Sequence, residues 1–330
     1  MDSRLDEVSQ RRGRAHRFAP IIVNRATPRR EDSIKRDSIK VVAFNARGGA
    51  RLDGIIKCLQ RAPLAGAEVI LLCEADWRHR RSAWREFAAE LAAALKMSLA
   101  FLPQFGVKRA DGEPTALKGN AILCSQPLEE VRAAPIPNRF LHPRLTRMAG
   151  GPAGVIARAS FNGRPITLGV VHLNSRWDPP GREWQMREYL AQIPDGGPAI
   201  IGGDLNTTTI ALHNARAVGA GMLKLLREPR RLSDPRRWET LFARLAQAEF
   251  EVDGANARDK RTFTFFRAIP RWLRPNLDWI AVRGLAPLPH SARAVAASAS
   301  FLRRRVSDHD FIMCEVALVS PQFRKLSLAE

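Results

Sequence analysis

Residues 198–206 read PAIIGGDLN, an apolar run that ends in the acidic Asp204 and the amide Asn206. A short, continuously apolar run is typical of a β-strand that is covered on both faces. Asp204 and Asn206 stand two residues apart at the end of this strand, so their side chains project to the same side. Burying a polar side chain without a partner costs about 1–3 kcal/mol. The run fits a simple turn, but it also fits a strand that delivers two polar groups to a functional site.

Five other predicted strands meet polar side chains in the same way. Their polar residues are Asn45, Glu74, His172 with Asn174, Asp278, and Asp308 with His309. Each could be a cap, a turn or a buried ion pair when it is taken alone. Six such strand ends in one chain favour convergence at one edge of the sheets, where the groups satisfy one another. Carboxylate and amide oxygens suit Mg²⁺ or Mn²⁺ rather than zinc, and imidazoles suit proton transfer and charge stabilisation.

Short apolar runs alternate with amphipathic segments from residue 39 onward, which predicts a layered α/β domain. Helical stripes begin at Leu52, Trp84, Met186 and Trp238. The predicted strands are residues 39–46, 68–75, 119–125, 154–160, 165–173, 198–205, 261–266, 276–282 and 310–318. We predict a basic, flexible N-terminal tail over residues 1–38, one catalytic domain over 39–320 and a C-terminal tail over 321–330.

The order of the polar motifs resembles that of the endonuclease/exonuclease/phosphatase superfamily, which has the deoxyribonuclease I-like fold. The resemblance covers about residues 39–319, and it includes the run KGNAIL at 118–123 and the helix that carries Arg182 and Gln185. It implies a four-layer α/β sandwich, in which two packed mixed β-sheets are flanked by helices. It also implies metal-dependent cleavage of phosphoester bonds by in-line attack of water.

The resemblance implies a role for each motif residue. Glu74 would be the main ligand of Mg²⁺, or of Mn²⁺ as a substitute, with help from Asn45. Asp204 would position or deprotonate the attacking water. His172 would contact the phosphate or act as an acid, and Asn206 would bind the phosphate. Asp308 would support the metal or the neighbouring imidazole. His309, oriented by Asp278, would act as the general base or as a phosphate-stabilising imidazolium. The division of labour between the two histidines is open.

Three departures from family patterns narrow the subfamily. Cys73 stands where Gln usually precedes the metal-binding Glu, which puts one supporting hydrogen bond in doubt. The chain has a single Tyr, Tyr189, on the helix after His172, unlike the apurinic-site endonucleases. Thr207 and Trp279 stand where the inositol-polyphosphate 5-phosphatases have Arg. The chain therefore resembles the broad bacterial group of deoxyribonuclease I-like and sphingomyelinase-like hydrolases.

The charge of the chain favours an anionic partner. Lys and Arg number 53 against 33 Asp and Glu, which gives a net charge of +20. Arg suits phosphate oxygens because its planar guanidinium binds them bidentately. The predicted substrate-binding residues lie near the strand ends: Asn174, Arg271, Trp272, Arg303, Arg304 and Arg305. We predict a nuclease acting on DNA or RNA; a solvated loop would also explain the Arg runs.

Two alternatives remain open. The segment FFRAIPRWL (265–273) mixes aromatic and basic residues, which also suits an anionic phospholipid surface and a sphingomyelinase-like phosphodiesterase. A non-catalytic nucleic-acid-binding module on the same fold is the third possibility, against which the full set of polar motifs argues.

Cysteine usage and hydropathy bear on the compartment. The four cysteines, of which three lie in apolar runs, form no zinc-binding spacing, and they favour buried reduced thiols. Residues 1–20 lack the apolar core of a signal peptide, and no apolar stretch is long enough for a transmembrane helix. We expect a cytoplasmic monomer.

Overall fold

The computed structural model describes residues 19–23, 37–108, 114–138, 148–258, 261–264, 274–298 and 305–318. Its strands are β1 (Ile21–Val23), β2 (Ser38–Asn45), β3 (Val69–Trp77), β4 (Ser98–Lys108), β5 (Pro114–Cys124), β6 (Glu129–Pro135), β7 (Met148–Gly150), β8 (Ala153–Phe161), β9 (Arg164–Val170), β10 (Ala199–Asp204), β11 (Asp278–Arg283), β12 (Ala286–Pro287), β13 (Arg293–Val295) and β14 (Phe311–Ala317). Its α-helices are α1 (Leu52–Leu59), α2 (Phe87–Leu95), α3 (Pro179–Leu190), α4 (Ala215–Arg227), α5 (Arg230–Ser233) and α6 (Leu241–Gln247).

The described strands form two mixed sheets. The first has the order β1-β4-β5-β3-β2-β14-β12, with β13 on β14 and β7 on β4, and the second has the order β11-β10-β9-β8-β6. In each sheet one central pair is parallel, β2 with β3 and β9 with β10, and the other pairs are antiparallel. The two parallel pairs place the carboxyl ends of β2, β3, β9 and β10 at the edges of their sheets from which the motif residues project.

The apolar side chains divide into three layers of core. The layer between the sheets contains Val41 and Leu71 from the first sheet and Val170 and Ile200 from the second. Helices α1 and α2 cover the outer face of the first sheet, and α3 and α6 cover the outer face of the second. This is the predicted four-layer α/β sandwich, and the fold prediction is confirmed.

The structure corrects the sequence analysis at three segments. Within the predicted strand 261–266, the described residues 261–264 form only an isolated bridge between Phe263 and His309. The bridge consists of two hydrogen bonds, in which the amides of Thr264 and Asp310 donate to the carbonyls of Asp308 and Thr262, whereas the amide of Phe263 donates to the carbonyl of Pro275. No strand was predicted over residues 98–108, where the structure has the long strand β4; this strand accommodates Pro103 by a register shift.

The third correction concerns the N-terminus. Residues 21–23, which the sequence assigned to the tail, pair with β4 as an edge strand. Residues 1–18 and 24–36 of the predicted tail lie outside the described ranges, and so do residues 319–330. The two tails therefore stay predictions.

The helical stripes are partly corrected as well. Trp84 lies before the start of α2 and is 58% exposed, although its spacing predicted a core position. None of the helices in the described residues is long and apolar enough to cross a membrane.

Candidate active site

The polar motifs line one cleft of about 410 Å³ at the edge of the two sheets. Asp278 lies just behind it, and it is fully buried. The predicted site residues on the cleft wall are Asn45, Glu74, His172, Asn174, Asp204, Asn206, Asp308 and His309. The structure therefore brings together all the motif residues that the sequence singled out at strand ends.

A β-bulge in β3 aims Glu74 into the cleft. The pairing with β5 shifts register between Leu72 and Ala75, and Glu74 adopts a positive φ of 56°. A bulge turns a side chain out of the regular alternation of a strand. Glu74 Oε2 lies 2.7 Å from Lys118 Nζ, and Asn45 Nδ2 donates to Glu74 Oε1 at 3.4 Å. Burial would raise the pKa of Glu74, but Lys118 and His172 outweigh it and hold the pKa well below its usual range.

The carboxylate of Asp204 lies at the centre of the site. Its Oδ2 accepts a hydrogen bond from Asn45 Nδ2 at 2.9 Å. The Nε2 atoms of His172 and His309 lie 3.5 and 3.7 Å from the same oxygen. Burial raises the pKa of Asp204 above its ordinary value, although the positive charge of His309 opposes the rise. Three polar groups thus converge on one buried oxygen atom.

Close approach of the backbone behind Asp204 requires Gly203. Its φ is 132°, and a Cβ there would lie 2.2 Å from the carbonyl oxygen of Val171. The amide of Asp204 donates to Cys73 Sγ at 3.4 Å. Cys73 therefore supports the backbone of the Asp204 strand, at the position for which the sequence left a supporting hydrogen bond in doubt.

Asp278 and His309 form a buried pair. Asp278 Oδ2 lies 2.8 Å from His309 Nδ1, and Thr262 Oγ1 accepts the backbone amides of Leu277 and Asp278. The His309 ring packs edge-on against Phe263, with centroids 4.9 Å apart. Burial alone would lower the pKa of His309, but Asp278 and Asp204 outweigh it and raise the pKa to about 10. The imidazole is therefore a cation at neutral pH, with Nε2 turned to Asp204.

Two loops at the cleft are tied together by amide side chains. Asn206 Nδ2 donates to the carbonyl of Leu173 at 2.7 Å, and its backbone amide donates to Asp204 Oδ1 at 3.0 Å. The backbone amide of Asn174 donates to the side-chain oxygen Gln185 Oε1 at 2.9 Å, and this bond anchors the loop after His172 to α3. The positions of His172 and Asn206 are consequently fixed relative to each other.

A buried ion pair contacts the two loops that follow the His172 and Asp204 motifs. Arg182 on α3 and Glu239 are both fully buried and form a salt bridge. Arg182 also donates to the carbonyl of Trp177, and Glu239 accepts the amide of Thr209 at 2.7 Å. Because Trp177 follows the His172 motif and Thr209 follows the Asp204 motif, the pair joins both loops to the helical layer.

Two groups of side chains have the chemistry of a metal site. Asp204, Asp278 and His309 offer ligand atoms that all lie within 4.8 Å of one another. A protonated imidazole cannot bind a metal ion, and the raised pKa of His309 therefore disfavours this group. The second group consists of the carboxylates of Glu74 and Asp308, each of which holds a cationic side chain that borders the cleft: Lys118 at 2.7 Å and Arg47 at 3.1 Å. Oxygen ligands that already attract positive charge fit a hard cation such as Mg²⁺.

The predicted substrate-binding residues are placed less completely. Asn174 lines the cleft, whereas Arg305 lines an adjoining groove with Arg47 and Arg51. The guanidinium of Arg305 is held by Asp310 at 2.7 Å and by the carbonyl of Ser307. Its role in substrate binding stays a prediction, and Arg271, Trp272, Arg303 and Arg304 lie outside the described residues.

Sequence reasoning gave no role to three groups at the site. Lys118 begins the run KGNAIL. The only signal in the sequence was that this lysine precedes a glycine and an amide residue. Gly119 allows close packing there, because a Cβ would lie 1.9 Å from the carbonyl oxygen of Leu102. Arg47 follows Asn45 by two residues, and Thr262 lies in a segment that the sequence predicted as a strand.

Comparisons with known proteins agree with this geometry. The family model described as "Endonuclease/Exonuclease/phosphatase family" matches residues 42–309. No curated protein matches the sequence significantly. Among solved structures, an endonuclease/exonuclease/phosphatase from Beutenbergia cavernae is 15% identical with a TM-score of 0.57, covering 85% of this chain and 72% of that one.

Two further structures have the same fold. D. rerio TDP2, complexed with single strand DNA product, is 16% identical with a TM-score of 0.52, and the match covers 84% of this chain and 98% of that one. The human Nocturnin catalytic domain with bound sulfate is 15% identical with a TM-score of 0.52, over 90% of this chain and 97% of that one. At these identities the likeness shows the fold.

Proposed function

The chain belongs to the endonuclease/exonuclease/phosphatase family, and from this premise we propose that it is a metal-dependent phosphodiesterase that acts on nucleic acid. The observation that carries the proposal is the cleft itself, because Glu74, Asp204 and His309 all line it and lie within reach of a single phosphate group. The pKa of Glu74 is lowered, whereas the pKa values of Asp204 and His309 are raised. When the pKa values of neighbouring groups are shifted apart in this way, the groups can take separate roles, here metal binding, general base and charge stabilisation.

Each role follows from the contacts of the residue. Asp204 has a raised pKa and its Oδ2 lies within 3.7 Å of the Nε2 atoms of both His172 and His309, so it suits the positioning and deprotonation of the attacking water. His309 is held as an imidazolium by Asp278, so it stabilises negative charge on the phosphate rather than acting as a base. His172 Nε2 lies 3.5 Å from Asp204 Oδ2, and from this position it can donate to a phosphate oxygen or to the leaving group.

Glu74 and Asn45 would hold Mg²⁺, with Asp308, which lines the same cleft, as a supporting carboxylate. The bound ion would supply Lewis-acid stabilisation of the phosphate charge. Asn206 and Asn174 line the cleft and can hold phosphate oxygens in place.

A polymeric substrate is favoured by a second groove beside the cleft. The groove is about 370 Å³ in volume, and it shares Arg47 and Asp308 with the catalytic cleft. It also contains Arg51, whose guanidinium donates to the backbone carbonyl of Arg305. A chain of phosphates that leaves the cleft past Asp308 would meet these cations, as a nucleic acid strand requires.

The test compares substrates with and without flanking phosphates. Activity is measured on single-stranded DNA, RNA, sphingomyelin vesicles and bis-(p-nitrophenyl) phosphate, with Mg²⁺ and with EDTA. We expect EDTA-sensitive cleavage of nucleic acid and weaker cleavage of the small diester. The variant Arg51→Ser should lower kcat/KM on oligonucleotides and leave the small diester unchanged.

The outcomes separate the alternatives. Cleavage of sphingomyelin but not of nucleic acid would establish the phospholipid phosphodiesterase instead. Nucleic-acid binding without turnover of any substrate would establish the non-catalytic module. Equal loss on both substrates in Arg51→Ser would show that Arg51 supports the fold rather than a flanking phosphate.

The four buried, free cysteines fit the reducing compartment that we propose for the protein.

A further inference from the structure

Helix α4 leaves a face of large aliphatic side chains in solvent. Gly221 and Leu225 are its buried residues, whereas Met222 and Leu223 are each 49% exposed and Leu226 is 76% exposed. Successive residues of an α-helix are about 100° apart, so Leu223 and Leu226 lie about 160° and about 100° round the helix from the buried Leu225. Met222 lies about 60° from Leu225 and flanks the buried side, where it is still half-exposed. Within the described residues, the large hydrophobic side chains that are exposed number six, and three of them lie on this helix.

Cations border this aliphatic face on one side. Arg216, Lys224 and Arg227 are exposed, and the helical spacing puts all three along the edge next to Leu223. Within the described part of the chain, none of them forms a salt bridge. We call the six residues the α4 face: Arg216, Met222, Leu223, Lys224, Leu226 and Arg227.

The α4 face lies close in the chain to the catalytic cleft. Thr208 and Leu212 line the cleft, and α4 begins three residues after Leu212. Asn214 caps the helix, because its Oδ1 accepts the amide of Ala217 at 2.8 Å. The loop that carries Asp204 and Asn206 therefore leads directly from the site into this helix.

We propose that the α4 face docks the protein onto the surface of an anionic phospholipid bilayer. An aliphatic stripe with cations along its edge is the pattern of helices that lie in the interface of a membrane. The stripe would enter the acyl region while Lys224 and Arg227 contact the headgroup phosphates. The proposal goes beyond the phosphodiesterase activity, since it assigns a docking surface and not a substrate.

Two other partners fit the face less well. Nucleic acid offers phosphates and aromatic bases but no aliphatic surface, and it would leave Leu226 without an apolar partner. A second copy of the chain would bring like charges together, because the edge is cationic and the whole chain carries a net charge of +20. An anionic bilayer complements both parts of the face.

Vesicle co-sedimentation in EDTA tests the proposal without any turnover. The neutral vesicles are pure phosphatidylcholine. The anionic vesicles are a 7:3 mixture of phosphatidylcholine and phosphatidylglycerol, so roughly one third of their lipid is anionic. We expect the wild-type chain to bind the anionic vesicles, and the affinity to fall with added salt. The triple variant Met222→Gln, Leu223→Gln and Leu226→Gln should reduce partitioning by about tenfold or more. Gln keeps helix propensity near that of Leu and Met.

A charge variant gives a second, independent reading. Lys224→Ser with Arg227→Ser should weaken binding to the anionic vesicles by roughly tenfold or more, at about fivefold per cation. Matched controls alter exposed residues elsewhere: Ile22→Gln with Trp84→Gln for the aliphatic face, and Lys57→Ser with Arg80→Ser for the charges. Both controls should bind as the wild type does, and circular dichroism checks that every variant is folded.

The proposal is overturned by any of three results. Wild-type protein that does not bind anionic vesicles would refute it. So would a triple variant that binds within twofold of the wild type. A triple variant that loses affinity for single-stranded DNA while keeping its vesicle binding would assign the face to nucleic acid. Because the assay uses no substrate and no metal, its failure leaves the proposed phosphodiesterase activity untouched.

Discussion

Asp278 Oδ2 and His309 Nδ1 lie 2.8 Å apart in a buried pair that connects β11 to the segment before β14. The hydrogen bond fixes which ring nitrogen faces Asp278 and leaves Nε2 directed at Asp204, 3.7 Å away. The two carboxylates thus enclose one imidazole, which is why the pKa of His309 rises to about 10 despite burial. A strand pairing, Asp204 opposite Asp278, sets the geometry of this arrangement.

The pair makes stability depend on pH in the alkaline range. A group with a raised pKa in the folded state contributes stability fully below its unfolded pKa of about 6.5, and loses the contribution as the pH rises toward 10. In EDTA, the free energy of unfolding should therefore fall from pH 7 to 10, by at most about 1.4 kcal/mol per pH unit from this group. Urea denaturation at several pH values measures the slope.

The variant Asp278→Asn isolates the cause. It removes the charge that holds the His309 proton, so the alkaline slope should flatten and stability at pH 7 should fall. Asp253→Asn, at an exposed carboxylate, should leave the slope as in the wild type. A wild-type slope in Asp278→Asn would mean that another group titrates.

Glu74 is expected to be the main carboxylate that binds the metal ion. Glu74→Gln keeps the size of the side chain but removes its charge, and turnover should fall by about 10²–10³-fold or more. Calorimetric titration with Mn²⁺ should show weakened binding in the same variant. The exposed carboxylate variant Glu188→Gln should match the wild type in both assays. Unchanged Mn²⁺ binding in Glu74→Gln would move the metal to another set of ligands.

Lys118 should oppose metal binding at the same carboxylate. Its ammonium lies 2.7 Å from Glu74 Oε2, so an incoming cation meets a like charge. Removing that charge in Lys118→Met should tighten Mn²⁺ binding by about fivefold or more, since like charges near 4 Å repel by roughly 1–4 kcal/mol in polar surroundings. Lys57→Met, on the exposed face of α1, is the matched control. Weaker Mn²⁺ binding in Lys118→Met would show instead that Lys118 orients Glu74.

The sequence predicted much of this site, because buried strands that end in Asn45, Glu74 or Asp204 leave polar groups that must satisfy one another. It could not predict which atoms meet. The approach of Lys118 to Glu74 depends on a bulge in β3, and a bulge leaves no mark in the alternation of VILLCEAD. Strand β4 was missed because Pro103 resembles a strand breaker unless a register shift absorbs it.

Helix α4 was also missed. Val218, Met222, Leu225 and Leu226 have the i, i+4, i+7, i+8 spacing of an amphipathic helix, but Met222 and Leu226 are exposed, so this stripe is only partly packed on the core. Trp84 failed in the opposite direction, since its spacing fitted the helical face of α2 although the helix begins only at Phe87. Pattern reasoning assumes that apolar side chains are buried, and it is weakest where they are exposed.

The buried pair of Arg182 and Glu239 should control both stability and catalysis. Arg182→Met leaves Glu239 buried without its counter-charge, which should cost about 3–5 kcal/mol of unfolding free energy in urea denaturation. Because the pair holds the loops after His172 and Asp204, kcat should fall as well. Arg187→Met, at an exposed pair on the same helix, should cost about 1 kcal/mol or less and keep kcat. Adding Glu239→Leu to Arg182→Met removes the stranded charge, so stability should partly recover. If the double variant recovers stability but not kcat, the ion pair positions the loops; recovery of both would reduce its role to charge compensation.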